Sequence, residues 1–556
     1  MFRPRRAALS LTAVLVLTAC GSQQVTSPSP SPSASDPPDA SMAPSEPPAA
    51  TGGTLVVAIS SDPGHLNPAI TTSGGTHTSA ELLYNGLVGL DDDLNPIPEL
   101  AASWEIDDGG RVYTFTLRDD VTWHDGTPFT SADVKFSFEE VLLQFHARTR
   151  ASMSSALASI ETPDETTVVF TFNDPYGPLL LQLDVTEAPI VARHIYEGTD
   201  PLEAPANLDP VGTGPFTFVS YTPESEIRFA ANEDYFRGRP PLDEIVQRIF
   251  PDAGSSVIAL ERGEVQWLWG VPGPDQERLA ADENIEFLRT DRNPGGANCI
   301  MTVSFNLENP ILADTDVRRA IAQGLDRQAF LERVLFNEGR VAEAPISSGI
   351  AWAHAEGLDL PMYDVMEAGR LLDEVGWNRD GDGTRVAQDV DGVDDGTSLT
   401  IDFLHFPTFA RYAELFRTQL AELGVEVELV PLEPPVFAET VFTNRDFDTN
   451  IISYCNGTDP EIGVRRMYDS AQIGAVPFSN AAAYSNDAVD ALFAEAVQTV
   501  DLDDRGELYR QIQEIVVDDL PYFWIVETEA TRAYRSNCTG FTAYAQFAES
   551  ASCTEE

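Results

Sequence analysis

Apolar and polar residues alternate along this chain in patterns of strand and helix length. Thr54-Leu55-Val56-Val57-Ala58-Ile59 is an almost unbroken apolar run and predicts a buried strand. Phe216-Thr217-Phe218-Val219-Ser220-Tyr221 alternates, as a half-buried strand does, and follows Pro210-Val211-Gly212-Thr213-Gly214-Pro215. Two glycines around one threonine permit a tight backbone turn that a side chain at either position would hinder. Residues 113–117 alternate as well, and the chain then turns at Asp125-Gly126, a hairpin-like signal. Strands are predicted at 401–406 and 425–429 with a helix at 408–423 between them, a parallel strand–helix–strand unit. A further strand at 447–454 runs into Cys455-Asn456-Gly457-Thr458-Asp459-Pro460, and the end of such a strand points into a cleft.

Helical periodicity appears at 257–264, 316–327, 367–377, 487–499 and 503–519, and Thr130 to Val134 reads as a helix start with Asp133 placed for a capping box. Arg and Asp residues of the 316–327 helix read as caps and surface pairs. Trp267 and Trp269 alternate on a predicted strand, where tryptophans serve either the core or a ligand. The strand at 522–527 is expected to return the chain to the first lobe. With 556 residues the chain exceeds what one core can hold, so two or three lobes of mixed α/β structure are expected.

The amino terminus reads differently. Arg3, Arg5 and Arg6 precede an apolar stretch at 7–17 that is too short for a stable membrane span, an export-signal pattern. Residues 22–50 alternate Ser and Pro, a composition that stays extended. Net charge is −55, from 34 basic and 89 acidic residues, which excludes nucleic acid as a partner. Lys135 is the sole lysine. So acidic a surface fits either a saline habitat or an ordinary acidic secreted protein.

Local catalytic motifs are absent: there is no Gly-x-Ser-x-Gly, His-Glu-x-x-His, phosphate loop or Cys-x-x-Cys. The histidines at 65, 77, 124, 146, 194, 354 and 405 show no metal-ligand spacing. Asn378, Asp380, Asp382 and Asp389 occupy positions 1, 3, 5 and 12 of a calcium-loop pattern with Gly383 at position 6, but an Asp ends it where a bidentate Glu is usual. A solvated acidic turn is the favoured reading, with calcium the alternative; no other cofactor is expected. Four cysteines follow Cys20 and allow three pairings in an oxidising compartment, of which Cys538–Cys553 and Cys299–Cys455 are favoured over free thiols.

Together, the Gly212-Thr213-Gly214 turn, Asn232 to Ile245, the order Leu117-Arg118-Asp119, Asp125-Gly126, Phe129, and the run Asp316 to Arg327 resemble the signatures of bacterial extracellular solute-binding proteins of the peptide/nickel-binding family, family 5. Leu17-Thr18-Ala19-Cys20-Gly21 resembles a lipobox. The resemblance implies a signal peptide over 1–19, a lipid on Cys20 and a linker over 20–53. It also implies a three-lobed, type II periplasmic-binding-protein-like α/β fold. Lobe I would comprise 54–87, 208–303 and 521–556, lobe II 88–207, and lobe III 304–520, with a ligand cleft between the first and third lobes. Such a protein does no chemistry. It captures an extracellular solute, a di- or oligopeptide by resemblance, and delivers it as a monomer to the permease and ATPase of an ABC importer. Several peptide binders of the family place an Asp where this chain has Asn456, so Asp459 or another acid would have to hold a ligand amine. If none does, an oligosaccharide, an opine or a metal chelate is the alternative solute. Tyr454, Asn456, Thr458 and Asp459, then Trp267, Trp269, His405 and Asn306, are the expected solute contacts. A secreted hydrolase is the rival class.

Overall fold

The computed structural model describes residues 52–554 except 92, 289–297, 475–477, 530 and 542–548. The expected signal peptide, Cys20 and nearly all of the expected linker lie outside the described residues.

Three sheets organise the body. The first has seven strands in the order Ile285–Leu288, Arg532–Arg535, Trp267–Leu268, Thr54–Ile59, Glu244–Ile249, Glu226–Ala231, Phe216–Thr222. The apolar run at 54–59 lies inside this sheet, paired in parallel with Glu244–Ile249 on one side and Trp267–Leu268 on the other. That position explains why it lacks polar alternation. The second sheet has four antiparallel strands, Ala101–Asp107, Val112–Leu117, Thr167–Phe172 and Leu157–Asp164. Here the alternating pattern survives: Tyr113, Phe115, Val168 and Phe170 are fully buried on one face. The third sheet has six strands in the order Arg340–Val341, Tyr522–Glu527, Cys299–Phe305, Thr449–Cys455, Thr400–His405, Glu426–Pro431.

The first and second sheets share one continuous core, from Leu55 and Tyr84 through Phe115 and Phe170 to Phe229. The third sheet and its helices build a separate core from Ile300 to Val526. Three sheets thus make two bodies. The chain passes between them twice, from Leu288 to Asn298 and from Glu527 to Arg532.

Two expected boundaries move. Tyr522–Glu527 does not return to the first lobe; it lies between Arg340–Val341 and Cys299–Phe305 in the third sheet, because its six residues are all buried and complete that core. Cys299–Phe305 likewise belongs to the third sheet, so the first crossing precedes residue 299. The helix expected at 257–264 starts earlier, at Ala253, because the Asp252 side chain accepts from the Ser255 amide and caps it. The capping box at Thr130 and Asp133 forms. Arg318, expected at the surface, is buried. Its guanidinium donates to the carbonyls of Leu312, Ala313, Asp519 and Leu520 at 2.5–2.9 Å, gathering acceptors left over at chain turns.

The calcium-like pattern is a β-hairpin of Trp377–Arg379 against Arg385–Ala387. The Asp380 carboxylate accepts from the amides of Asp382 and Thr384, which turns the hairpin. Asn378 sits within the first strand and Asp389 beyond the second, and no three acidic or histidine side chains gather as a metal group among the described residues. Both favoured disulfides are present, Cys299–Cys455 across directly paired strands and Cys538–Cys553 across a terminal ribbon.

The Gly212-Thr213-Gly214 turn is a close-approach device. A Cβ on Gly212 would lie 1.7 Å from the Leu83 carbonyl oxygen, and one on Gly214 would lie 2.5 Å from the Leu83 carbonyl carbon. The turn in fact bonds to that segment, with the Gly214 amide donating to Leu83 O at 2.8 Å and Thr213 Oγ1 to Asn85 Oδ1 at 2.9 Å. Gly212→Ala is expected to lower stability by about 3 kcal/mol in urea unfolding, because backbone carbonyls cannot move aside as side chains do.

Candidate solute site

A cavity of about 1030 Å³ opens where the two bodies meet. One body supplies Thr72 to Asn85, the helix Ala147–Met153 and the run from Asn173 to Glu187. The other supplies Cys455, Gly457 and the short helices Pro460–Gly463 and Arg465–Tyr468.

The second wall is fixed at its base. Cys455 is bonded to Cys299, the Asn456 amide donates to Asn298 O at 3.1 Å, and Asn298 Nδ2 donates to Gly457 O at 2.7 Å. Asp459 then starts the helix: its carboxylate accepts from the Glu461 amide at 2.9 Å, and Pro460 suits the first helical position. Asp459 also forms a fully buried ion pair with Arg505 at 2.8 Å. It is committed to that cation and is not a free partner for a ligand amine.

Alternation accounts for where Tyr454, Asn456 and Thr458 fall, whereas Asp459 is drawn away by its ion pair with Arg505. Cys455 and Gly457 face the cavity, while Tyr454, Asn456, Thr458 and Asp459 lie outside its wall. Tyr454 packs edge-on to Tyr522, Asn456 Oδ1 accepts from the Ser347 amide at 2.8 Å, and Thr458 Oγ1 donates to Leu181 O at 3.0 Å. Trp269 is in the wall and lies under the Arg532 guanidinium at 5.2 Å. Its neighbour Trp267 is completely buried among Trp269, Tyr534 and Phe541. His405 and Asn306 are buried elsewhere: the first ring lies 2.8 Å from Phe406 O, and the second side chain donates to Phe447 O at 2.8 Å.

The wall's charges were missed. Glu99, Asp184 and Glu461 line the cavity, and burial pushes each carboxyl up to about 7. Glu187 adds to the effect at Asp184 by repulsion, whereas Arg465, 2.8 Å from Glu461, partly offsets burial there. Arginines lie among them in the lining. Arg148 pairs with Glu187 at 2.8 Å, and Arg465 also holds Asp469 at 2.6 Å. Arg466 donates only to carbonyls, Gly463 O at 3.2 Å and Cys455 O at 3.5 Å, and no carboxylate lies within ion-pair distance of it among the described residues. Burial lowers its pKa and nearby Arg148 adds repulsion, while Tyr454 and Glu187 partly offset both. Adjacent arginines just after a strand-end loop, in so acidic a chain, were the available sequence signal; nothing comparable marked Glu99 or Asp184.

A family model described as bacterial extracellular solute-binding proteins, family 5, middle region, matches residues 95–475. The chain belongs to this family. It is an extracytoplasmic substrate-binding protein of an ABC importer and not an enzyme. It is 28% identical over 508 residues to the oligopeptide-binding protein AppA of Bacillus subtilis, covering 88% of this chain and 89% of the relative. The heme-binding protein A of Haemophilus influenzae is 28% identical over 505 residues, with 87% and 88% covered. The structure of Bacillus subtilis AppA with a nonapeptide superposes with a TM-score of 0.73 at 25% identity, covering 91% of this chain and all of that one. NikA from Brucella suis with Fe(III)-EDTA gives 0.79 at 23% identity, covering 90% and 100%, a likeness of fold.

The wall carboxyls make stability pH-dependent. Glu99 and Asp184 hold protons more tightly folded than unfolded, so their contribution is complete below their unfolded pKa values near 4 and is lost as pH rises through about 7. The solute-free melting midpoint should therefore fall between pH 5 and pH 8 at fixed ionic strength. Glu99→Gln and Asp184→Asn should each flatten that fall, by an amount on the order of 3 kcal/mol at most.

Proposed function

We propose that this protein captures peptides that have a free carboxylate and hands them to the membrane permease and ATPase of an ABC importer, held at the membrane by a lipid on Cys20. The observation that carries the reading is Arg466: a cation in the cavity wall, hydrogen-bonded only to carbonyl groups among the described residues and without an ion-pair partner of its own there, with Glu187 and Arg148 acting on it from beyond that distance. Such a buried charge favours a ligand anion, and a planar carboxylate matches guanidinium geometry. The volume of about 1030 Å³ suits a chain of several residues better than a single small ion. Glu81 and Asp184 on the first wall and Glu461 on the second are the acids available for a ligand cation, since Asp459 is already paired. The relative AppA, which carries a nonapeptide, supports a peptide ligand.

A metal chelate with carboxylate arms is the second reading, because the same arginines suit it and NikA holds Fe(III)-EDTA. Thermal shift and calorimetry separate the two. The expected result is a raised midpoint with some free-acid peptides of two to nine residues, and affinity about ten- to a hundredfold weaker for the matching C-terminal amides. Arg466→Met should lose a similar factor and no longer discriminate acid from amide. Stabilisation by chelates, haem or sugars alone would overturn the peptide reading.

A further inference from the structure

The two bodies also touch each other directly, beside the cavity. On one side are the turn at Gly110 and the run Pro175-Tyr176-Gly177. On the other are the end of the helix Asp487–Gln498 and residues 499–502. The Gly177 amide donates to Val497 O at 2.8 Å. A Cβ on Gly177 would lie 1.8 Å from Thr499 O, and one on Gly110 would lie 2.1 Å from Val500 Cγ2. Leu90, Leu94 and Leu181 of the first body are buried against Trp352 and Leu502 of the second. Thr458 Oγ1 completes the seam by donating to Leu181 O at 3.0 Å.

Arg505 stands behind this seam. Its guanidinium pairs with Asp459, donates to Ala496 O at 3.2 Å and lies 5.2 Å from the Trp352 ring. Its Cδ would be 3.1 Å from a Cβ on Gly177. One side chain therefore sets both the start of the cavity-wall helix and the height of the strand of backbone that Gly177 meets.

We infer that Gly110, Gly177 and Thr458 are positioning residues for solute binding, because they form a body-to-body latch that holds the cavity shut through protein contacts alone. Neither glycine is argued to touch solute. Gly177 lets the Thr499 backbone approach and Gly110 the Val500 side chain, and a methyl group at either place wedges the bodies apart. A latch of this kind gives the closed form a resident population before solute arrives, and solute affinity then scales with that population. The consequence is an affinity lever outside the wall: strengthening or weakening the seam changes all affinities by one common factor and leaves the preference among solutes unchanged. The inference does not depend on which solute is carried.

The test needs no solute. Nitroxides are attached through Glu161→Cys in the first body and Glu514→Cys in the second, on mature protein refolded after denaturation to strip any guest. Pulsed dipolar spectroscopy reads the distance distribution. The expected result is a clear short-distance population in the labelled parent. Gly177→Ala should reduce the closed-to-open ratio at least tenfold, and Thr458→Val a few-fold, with melting midpoint and near-ultraviolet dichroism little changed. If Gly177→Ala does not fold, Thr458→Val carries the same comparison, because the φ of 96° at Gly110 would strain an alanine there by itself. A parent distribution that is wholly long-distance, or folded variants that match the parent, would overturn the inference.

Discussion

The ion pair between Asp459 and Arg505 is the interaction on which the functional half of the molecule depends. Both side chains are essentially unexposed, with nitrogen and oxygen 2.8 Å apart. A buried pair of this kind gives little net stability over an apolar substitute, but removing one partner strands a charge at a cost of about 3–5 kcal/mol. Its value here is geometric. Asp459 begins the helix that presents Glu461 and leads to Arg465 and Arg466. Arg505 fastens the chain at Ala496, next to the seam. The second wall of the cavity and the edge that meets the other body are thus hung from one pair of side chains. The same pairing removes Asp459 from the set of acids that could hold a ligand amine.

The remainder of the second wall follows from how its strand ends. Thr449–Cys455 is clamped between Cys299–Phe305 and Thr400–His405, and the Cys299–Cys455 bond closes the pair at the cavity. Asn298 holds the next two residues by backbone and side chain. Rigid anchoring of a short loop keeps few conformations open to it, so a guest need not supply the ordering free energy. The opposite wall is carried on the core shared by the first two sheets. A protein built as two bodies joined by two chain crossings is suited to opening and closing as a whole, because neither core has to change.

Much of this was legible in the sequence, and the failures have distinct causes. Apolar runs and alternation located the strands at 54–59, 112–117, 400–405 and 449–455, since each reports only its own burial. Sheet membership is a long-range property, and Tyr522–Glu527, apolar throughout, would have suited either body. Helical periodicity placed Arg318 at a surface because charge normally means exposure; four carbonyl acceptors left over from distant turns make its burial tolerable. In the loop after Cys455, residue types suggested Asn456, Thr458 and Asp459 as contacts. Strand parity, which continues past the last strand residue, turns Cys455 and Gly457 to the cavity in place of Asn456 and Thr458, and the pair with Arg505 takes Asp459 out of it. Glu99 and Asp184 carry no local mark at all: they become unusual only when folding removes water from them.

The central claim is that a small guest is held unaltered between two bodies that close on it. Mass spectrometry of the natively purified protein, followed by analysis of what it releases on denaturation, tests this most directly. The account predicts close to one guest per chain, a peptide with a free carboxylate, recovered with the same mass after prolonged incubation with the protein. A guest that returns cleaved or otherwise modified, or a protein that neither carries nor takes up any small molecule, would contradict it.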